Sequence, residues 1–298
     1  MPDLLTTPLF AVHISDGVLT EPWLIGGFVG AGLLAMLGAW RIRDEEIPQT
    51  ALLTAAFFVI SLIHVRVWPT SVHLLFNGLL GVVLGRRSGL AIPIGLFLQV
   101  VLLQHGGYTT LGINSCVMGL PALMSWGIFA ACRRVCWRRV PWLRAGIVIF
   151  SVFVWGLSLV FGVALVCSNT AGRVSQVDPR WAESSALHPA TLMGALLLGV
   201  GAAWGERHLE HAPEFPLGLL IGVTSVLATA LLNCAVLVFG GREDWPSLVL
   251  LVLVPHIVIA LIEGVVLGFV LGFLARVKPE IIGWSAAENG KCVSDPPS

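Results

Sequence analysis

An all-α polytopic transmembrane bundle of about seven to nine spans is the fold class that this sequence predicts. Three observations carry the prediction. Of 298 residues, 56% are hydrophobic and 11% charged, against about 25% charged in soluble domains. The apolar residues gather in long runs, unlike the short alternating segments of a β-barrel. The 33 glycines suit the close helix packing of lipid-embedded bundles.

Nine apolar runs of roughly 15 to 25 residues can be read in order: 23–40, 50–65, 72–84, 90–103, 115–132, 142–166, 191–204, 216–239 and 248–274. The first follows the turn residues Asp16-Gly17 and ends at Arg41 and Arg43. The second leads to the loop 68–73. The third starts where Thr70 or Ser71 offers a helix cap and ends at Arg86 and Arg87. The fourth runs into the loop 105–114. The fifth ends in the strongest basic cluster, Arg133, Arg134, Arg138 and Arg139. The sixth leads to the polar loop 169–188. The seventh ends at Arg207, the eighth at the loop 240–246, and the ninth at Arg276 and Lys278. Runs 72–84, 90–103 and 191–204 are short, which sets the lower count.

If all nine runs cross, every basic cluster falls on one side. Lysine and arginine mark the cytoplasmic side. That places the N-terminus outside and the C-terminus in the cytoplasm of a multi-pass plasma (inner) membrane protein. Residues 283–298 read as a disordered cytoplasmic tail.

Net charge is zero, so no electrostatic argument points to nucleic acid. No GxxxxGK[ST] run, HExxH motif or pair of carboxylates at catalytic spacing occurs, so neither ATP binding by a P-loop nor catalysis is expected of this chain. The six cysteines form no CxxC pair and read as small apolar residues.

Four polar patches interrupt the apolar sequence, and polar groups in lipid mark sites or pathways. The first is His13-Ile14-Ser15-Asp16-Gly17, a turn histidine or a metal ligand. The second is Trp68-Pro69-Thr70-Ser71-Val72-His73. His73 is expected in the first turn of a helix, where the dipole keeps imidazole neutral; an interfacial histidine is the plainer alternative. The third is Gln104-His105-Gly106-Gly107-Tyr108-Thr109-Thr110-Leu111-Gly112-Ile113-Asn114. Its glycines allow a re-entrant backbone that Asn114 can satisfy, as scaffold or in direct ligand contact. The fourth is Pro255-His256 with Ile262-Glu263-Gly264. His256 and Glu263 share a helix face, and a hydrogen-bonding role is expected for Glu263 over a proton relay.

Together these patches resemble the substrate-binding membrane subunit of cobalt and nickel energy-coupling factor transporters, the CbiM/NikM type. The likeness rests on His13 to Leu19, Ser71-Val72-His73-Leu74-Leu75 with Gly78 and Gly81, Gly106 to Asn114 with Met118-Gly119, and Ile262-Glu263-Gly264-Val265 followed by Val277-Lys278-Pro279-Glu280. The resemblance implies an S-component-like bundle over 13–282 that binds Ni²⁺ or Co²⁺ near its outer face. It implies no permanent cofactor. It implies partners: a transmembrane coupling subunit, ATP-binding cassette ATPase subunits and a small accessory membrane subunit. In that family the metal sits in a nearly planar four-nitrogen site. His13 would supply its side chain and backbone nitrogen, the free N-terminal amine a third nitrogen, and His73 the fourth. Asp16, Ser71 and Asn114 are the supporting residues expected.

The chain departs from the pattern in three places. Residues 1–12 form an N-terminal extension, so His13 is not in second position. Initiation at Val12, cleavage after Ala11, or a different fourth ligand would each reconcile this, and a start at Val12 is the expectation. The segment 142–239 reads as expanded relative to the family. Ser71-Val72 stands where the family has Ser-Gly. Three other readings stay open: a non-transporting metal sensor or scaffold, a membrane enzyme using a histidine-bound metal, and a transporter of a non-metal ligand such as a vitamin, against which His13 and His73 argue.

Overall fold

The computed structural model describes residues 13–67, 70–171, 189–208, 212–242 and 246–284. The expected extension 1–12, most of the loop 169–188 and nearly all of the tail lie outside these residues. Each of the nine apolar runs contains one α-helix: α1 Glu21–Ala39, α2 Ile47–Ile60, α3 Asn77–Leu84, α4 Ser88–Leu103, α5 Leu111–Cys132, α6 Pro141–Ala171, α7 Pro189–Glu206, α8 Phe215–Gly240 and α9 Pro246–Val277. Proline opens α1, α2 and α8 within their first two positions, where its missing N–H costs nothing.

Six stretches among the described residues are long and apolar enough to cross a membrane: Glu21–Ala39, Asn77–Leu103, Leu111–Cys132, Pro141–Ala164, Phe215–Gly240 and Leu253–Val277. The count is below nine because α2 (14 residues) and α7 (18 residues) are not among them, and α3 (8 residues) and α4 form one stretch. Asn77–Leu103 reaches its length through the 3₁₀ turn Gly85–Arg87. Gly85 has φ +57°, which glycine adopts readily, and the chain reverses there.

The second and third runs hold the main departure from expectation. They do not meet in a short loop before a helix. Strands β1 (His64–Val67) and β2 (Thr70–His73) pair antiparallel, with His64 opposite His73 and Val65 opposite Val72. The β-branched residues Val65, Val67, Thr70 and Val72 favour that pairing. His73 therefore ends a strand and does not lie in a helical first turn. Helix α3 starts only at Asn77, after Phe76 in the left-handed region at φ +47°.

Side-chain bonds tie the helix ends into two groups. At one end Arg87 donates to the carbonyls of Gly38, Trp40 and Arg41 and to the Glu46 carboxylate at 2.7 Å. Arg144 pairs with Glu206, and Arg133 donates to the Gly283 carbonyl at 3.2 Å. At the other end Thr20 bonds Gly240, Arg242 bonds the Leu19 carbonyl, and Asp16 and Ile14 bond residues 108–114. Successive helices thus alternate direction, and Arg41, Arg87, Arg133, Arg144 and Lys278 gather at one end.

One close crossing joins α8 and α9. A Cβ on Gly222 would lie 2.5 Å from Gly264 Cα, and one on Gly218 2.6 Å from Gly268 Cα. Small residues at such a crossing let backbones touch. Leu75, Ile92, Leu96, Val226 and Ile257 fill the centre of the bundle. Cys116 and Cys132 are free thiols, whereas Cys136 is disulfide-bonded, which corrects the reading of all six as packing residues.

Candidate metal centre

At the end away from Arg87, Arg133 and Arg144, three segments converge. The first is the chain entering α1. Ile14 N–H donates to Asn114 Oδ1 at 3.0 Å, and Ile14 C=O accepts from Asn114 Nδ2 at 3.0 Å and Thr110 Oγ1 at 2.6 Å. Asn114 was expected in a re-entrant loop. It sits in the first turn of α5 and pairs with both backbone groups of the residue after His13.

The second segment is the loop between α4 and α5. Asp16 accepts the N–H groups of Tyr108 at 3.0 Å and Thr109 at 2.8 Å, and the Thr109 hydroxyl at 2.5 Å. Partial burial works to raise its pKa, but these bonds outweigh it and hold the carboxyl below its ordinary value. Gly106 takes φ +86°, a conformation that side chains resist, and a Cβ there would lie 3.5 Å from His13 Cβ. This loop presents His105.

The third is the end of β2, which presents His73. The His73 Nδ1–H donates to the Leu74 carbonyl at 2.9 Å. That bond fixes the tautomer and leaves Nε2 with its lone pair.

The three rings meet. His73 Nε2 and His13 Nε2 are 3.2 Å apart. The ring centroids of His13 and His105 are 5.2 Å apart, and those of His73 and His105 5.8 Å. One ligand nitrogen from each lies within 4.8 Å of the others. Two nitrogens bound at about 2.0–2.1 Å around a tetrahedral ion are separated by about 3.3 Å, so the spacing suits one shared cation. His13 and His73 are buried. Burial, with the nearby imidazoles of His73 and His105, holds His13 well below the usual 6.5. It is neutral at pH 7, the form that binds metal.

The structure thus brings together His13, His73, Asp16 and Asn114. The Ser71 side chain lies outside what is described, although its backbone pairs with Arg66. His105 is the residue that sequence reasoning missed. Its signal was present, a histidine before Gly106-Gly107, but nothing in the spacing says which ring faces His13. Glu263, expected to act by hydrogen bonding, accepts the backbone N–H groups of Leu75 and Phe76. His256, on the same helix, is buried.

Comparison with known proteins agrees in kind. A candidate metal transport protein of Haemophilus influenzae is 29% identical over 271 residues, covering 91% of this chain and 97% of the relative. The cobalt transport protein CbiM of Geobacter sulfurreducens is 30% identical over 165 residues, 52% of this chain and 45% of that one. A candidate fused cobalt transport protein CbiMQ of Methanocorpusculum labreanum is 31% identical over 128 residues, 41% of this chain and 20% of that one. The family described as the CbiM cobalt uptake substrate-specific transmembrane region matches residues 13–201 and 190–281, and this chain belongs to that family.

Proposed function

We propose that the chain is the substrate-specific membrane component of an ATP-driven uptake system for Co²⁺ or Ni²⁺. The observation that supports this most is the convergence of His13, His73 and His105 in a chain of the cobalt uptake family. Imidazole nitrogen suits both ions, whereas Mg²⁺ and Ca²⁺ prefer oxygen. His13 and His73 are the ligands expected from sequence, and His105 stands where a third nitrogen is needed. Asp16 and Asn114 position the loops that carry them, and Ser71 precedes His73 on the same strand. A mature chain starting at residue 12 would add an amine to this set.

The site end faces outward in this reading, because the basic end carries the arginines that mark the cytoplasmic side. The transport domain spans 13–282, with 142–239 an expansion that adds α6 and α7. The chain has no nucleotide motif, so energy comes from separate ATPase subunits through a coupling subunit; the fused relative supports a membrane partner. The chain itself is no enzyme.

Uptake of labelled Co²⁺ or Ni²⁺ into cells tests the reading. Uptake is expected only when this chain, a coupling subunit and ATPase subunits are produced together, and H13A or H73A should abolish it. Metal binding without uptake would favour a sensor or scaffold. Intact mass of the native protein decides whether an amine stands next to His13.

A further inference from the structure

A carboxylate inside an apolar helix needs a reason, because burying one without partners is costly. Glu263 lies in α9 and is 3% exposed. Its two oxygens accept the backbone N–H groups of Leu75 and Phe76, 188 and 187 residues away in sequence. The carboxylate holds a specific piece of backbone.

That piece is the elbow between β2 and α3, immediately after His73. It is conformationally unusual. Phe76 has φ +47° and ψ +15°, a region that bulky residues avoid unless their surroundings impose it. The same elbow carries the Leu74 carbonyl that orients the His73 ring. A shift at Leu75 would move Leu74 and turn Nε2 away from His13.

The platform under Glu263 is closely packed. Its neighbour Gly264 packs directly on α8, where a Cβ would meet Val223 Cγ2 at 2.8 Å and the Leu219 carbonyl at 3.0 Å. The carboxylate position is thus set by the α8–α9 crossing described above.

We infer that Glu263 is a positioning residue for the cargo site: from α9 it clamps the Leu75–Phe76 backbone and so sets the direction of the His73 imidazole. This rests on His73 being a ligand of the transported cation. It adds α9 to the elements that shape the site, although α9 supplies no ligand to the three-imidazole cluster.

The test uses the full chain in detergent or nanodiscs with Co²⁺ alone as probe. The d–d absorption of bound Co²⁺ reports ligand geometry, titration reports affinity, and thermal unfolding without metal reports fold. E263Q keeps the volume but offers one acceptor where two are needed; E263A offers none. The expected result is a changed Co²⁺ spectrum and an affinity loss of about 10–100-fold, the usual effect of removing a group that orients a ligand, larger for E263A. Wild-type spectrum and affinity in both variants, whatever their thermal stability, would overturn the inference. So would failure of both to fold, which would make Glu263 purely structural. Wild-type protein that binds no Co²⁺ would overturn the metal reading itself, and the clamp with it.

Discussion

His13 sits 60 residues before His73 in sequence, yet their Nε2 atoms are 3.2 Å apart. The local reason is a set of short polar contacts. Asn114 pairs with both backbone groups of Ile14, and Asp16 gathers Tyr108 and Thr109. His105 follows from that second contact, because it sits on the loop that Asp16 anchors. If His105 is a ligand, H105A should weaken Co²⁺ binding by at least about tenfold, about 1.4 kcal/mol. H13A and H73A should lose more, since both rings are buried at the centre of the cluster. Equilibrium titration of the purified protein checks all three, and unchanged affinity in H105A would leave that ring as a neighbour only.

Between elements, two junctions govern stability. At the arginine end, Arg87 joins α1 to the turn before α2. Its hydrogen bond to Glu46 is the chief cause that brings the Glu46 carboxyl from 4.5 down to about 2. A depressed carboxylate stabilises the fold fully above the unfolded value and loses that effect as pH falls through the folded one. The contribution is thus present above about pH 4.5 and fades towards pH 2. Allowing for the partial exposure of Glu46, E46Q should cost about 1 kcal/mol at pH 7. The difference in melting temperature from wild type should shrink steadily on acidification below pH 4.5. The other junction is the α8–α9 crossing. Gly222→Ala places a methyl group 2.5 Å from Gly264 Cα. The helices must part, and a loss of about 1–3 kcal/mol is expected, read as a lower melting temperature in detergent.

At the largest scale, the nine helices among the described residues run in alternating directions and separate two chemistries. His13, His73, His105, Asp16 and Asn114 occupy one end; Arg41, Arg87, Arg133, Arg144 and Lys278 occupy the other. With the arginine end in the cytoplasm, a cysteine at exposed Tyr108 should react with an impermeant maleimide on intact cells. A cysteine at exposed Arg134 should react only after permeabilisation. The opposite labelling pattern would invert the proposed direction of transport.

Much of this was legible in the chain before folding. Apolar run length and the scarcity of charge determine that the helices form and roughly where, because a bilayer admits little else. The recurrence of arginine after alternate runs determines which helix ends belong together. His13, His73, Asp16 and Asn114 stood out because polar residues are rare here. Three features were settled only by tertiary structure. The β1–β2 hairpin replaced an expected helical turn at His73, because pairing with residues 64–67 satisfies backbone that a helix from Thr70 would otherwise have bonded internally. His105 joined the cluster because Asp16 pulls its loop towards His13, a contact between residues 92 and 93 positions apart. Glu263 found its partners in the backbone of Leu75 and Phe76, and backbone N–H groups carry no sequence signature. Periodicity and composition encode what each segment does with its solvent; which distant segments meet is decided by packing.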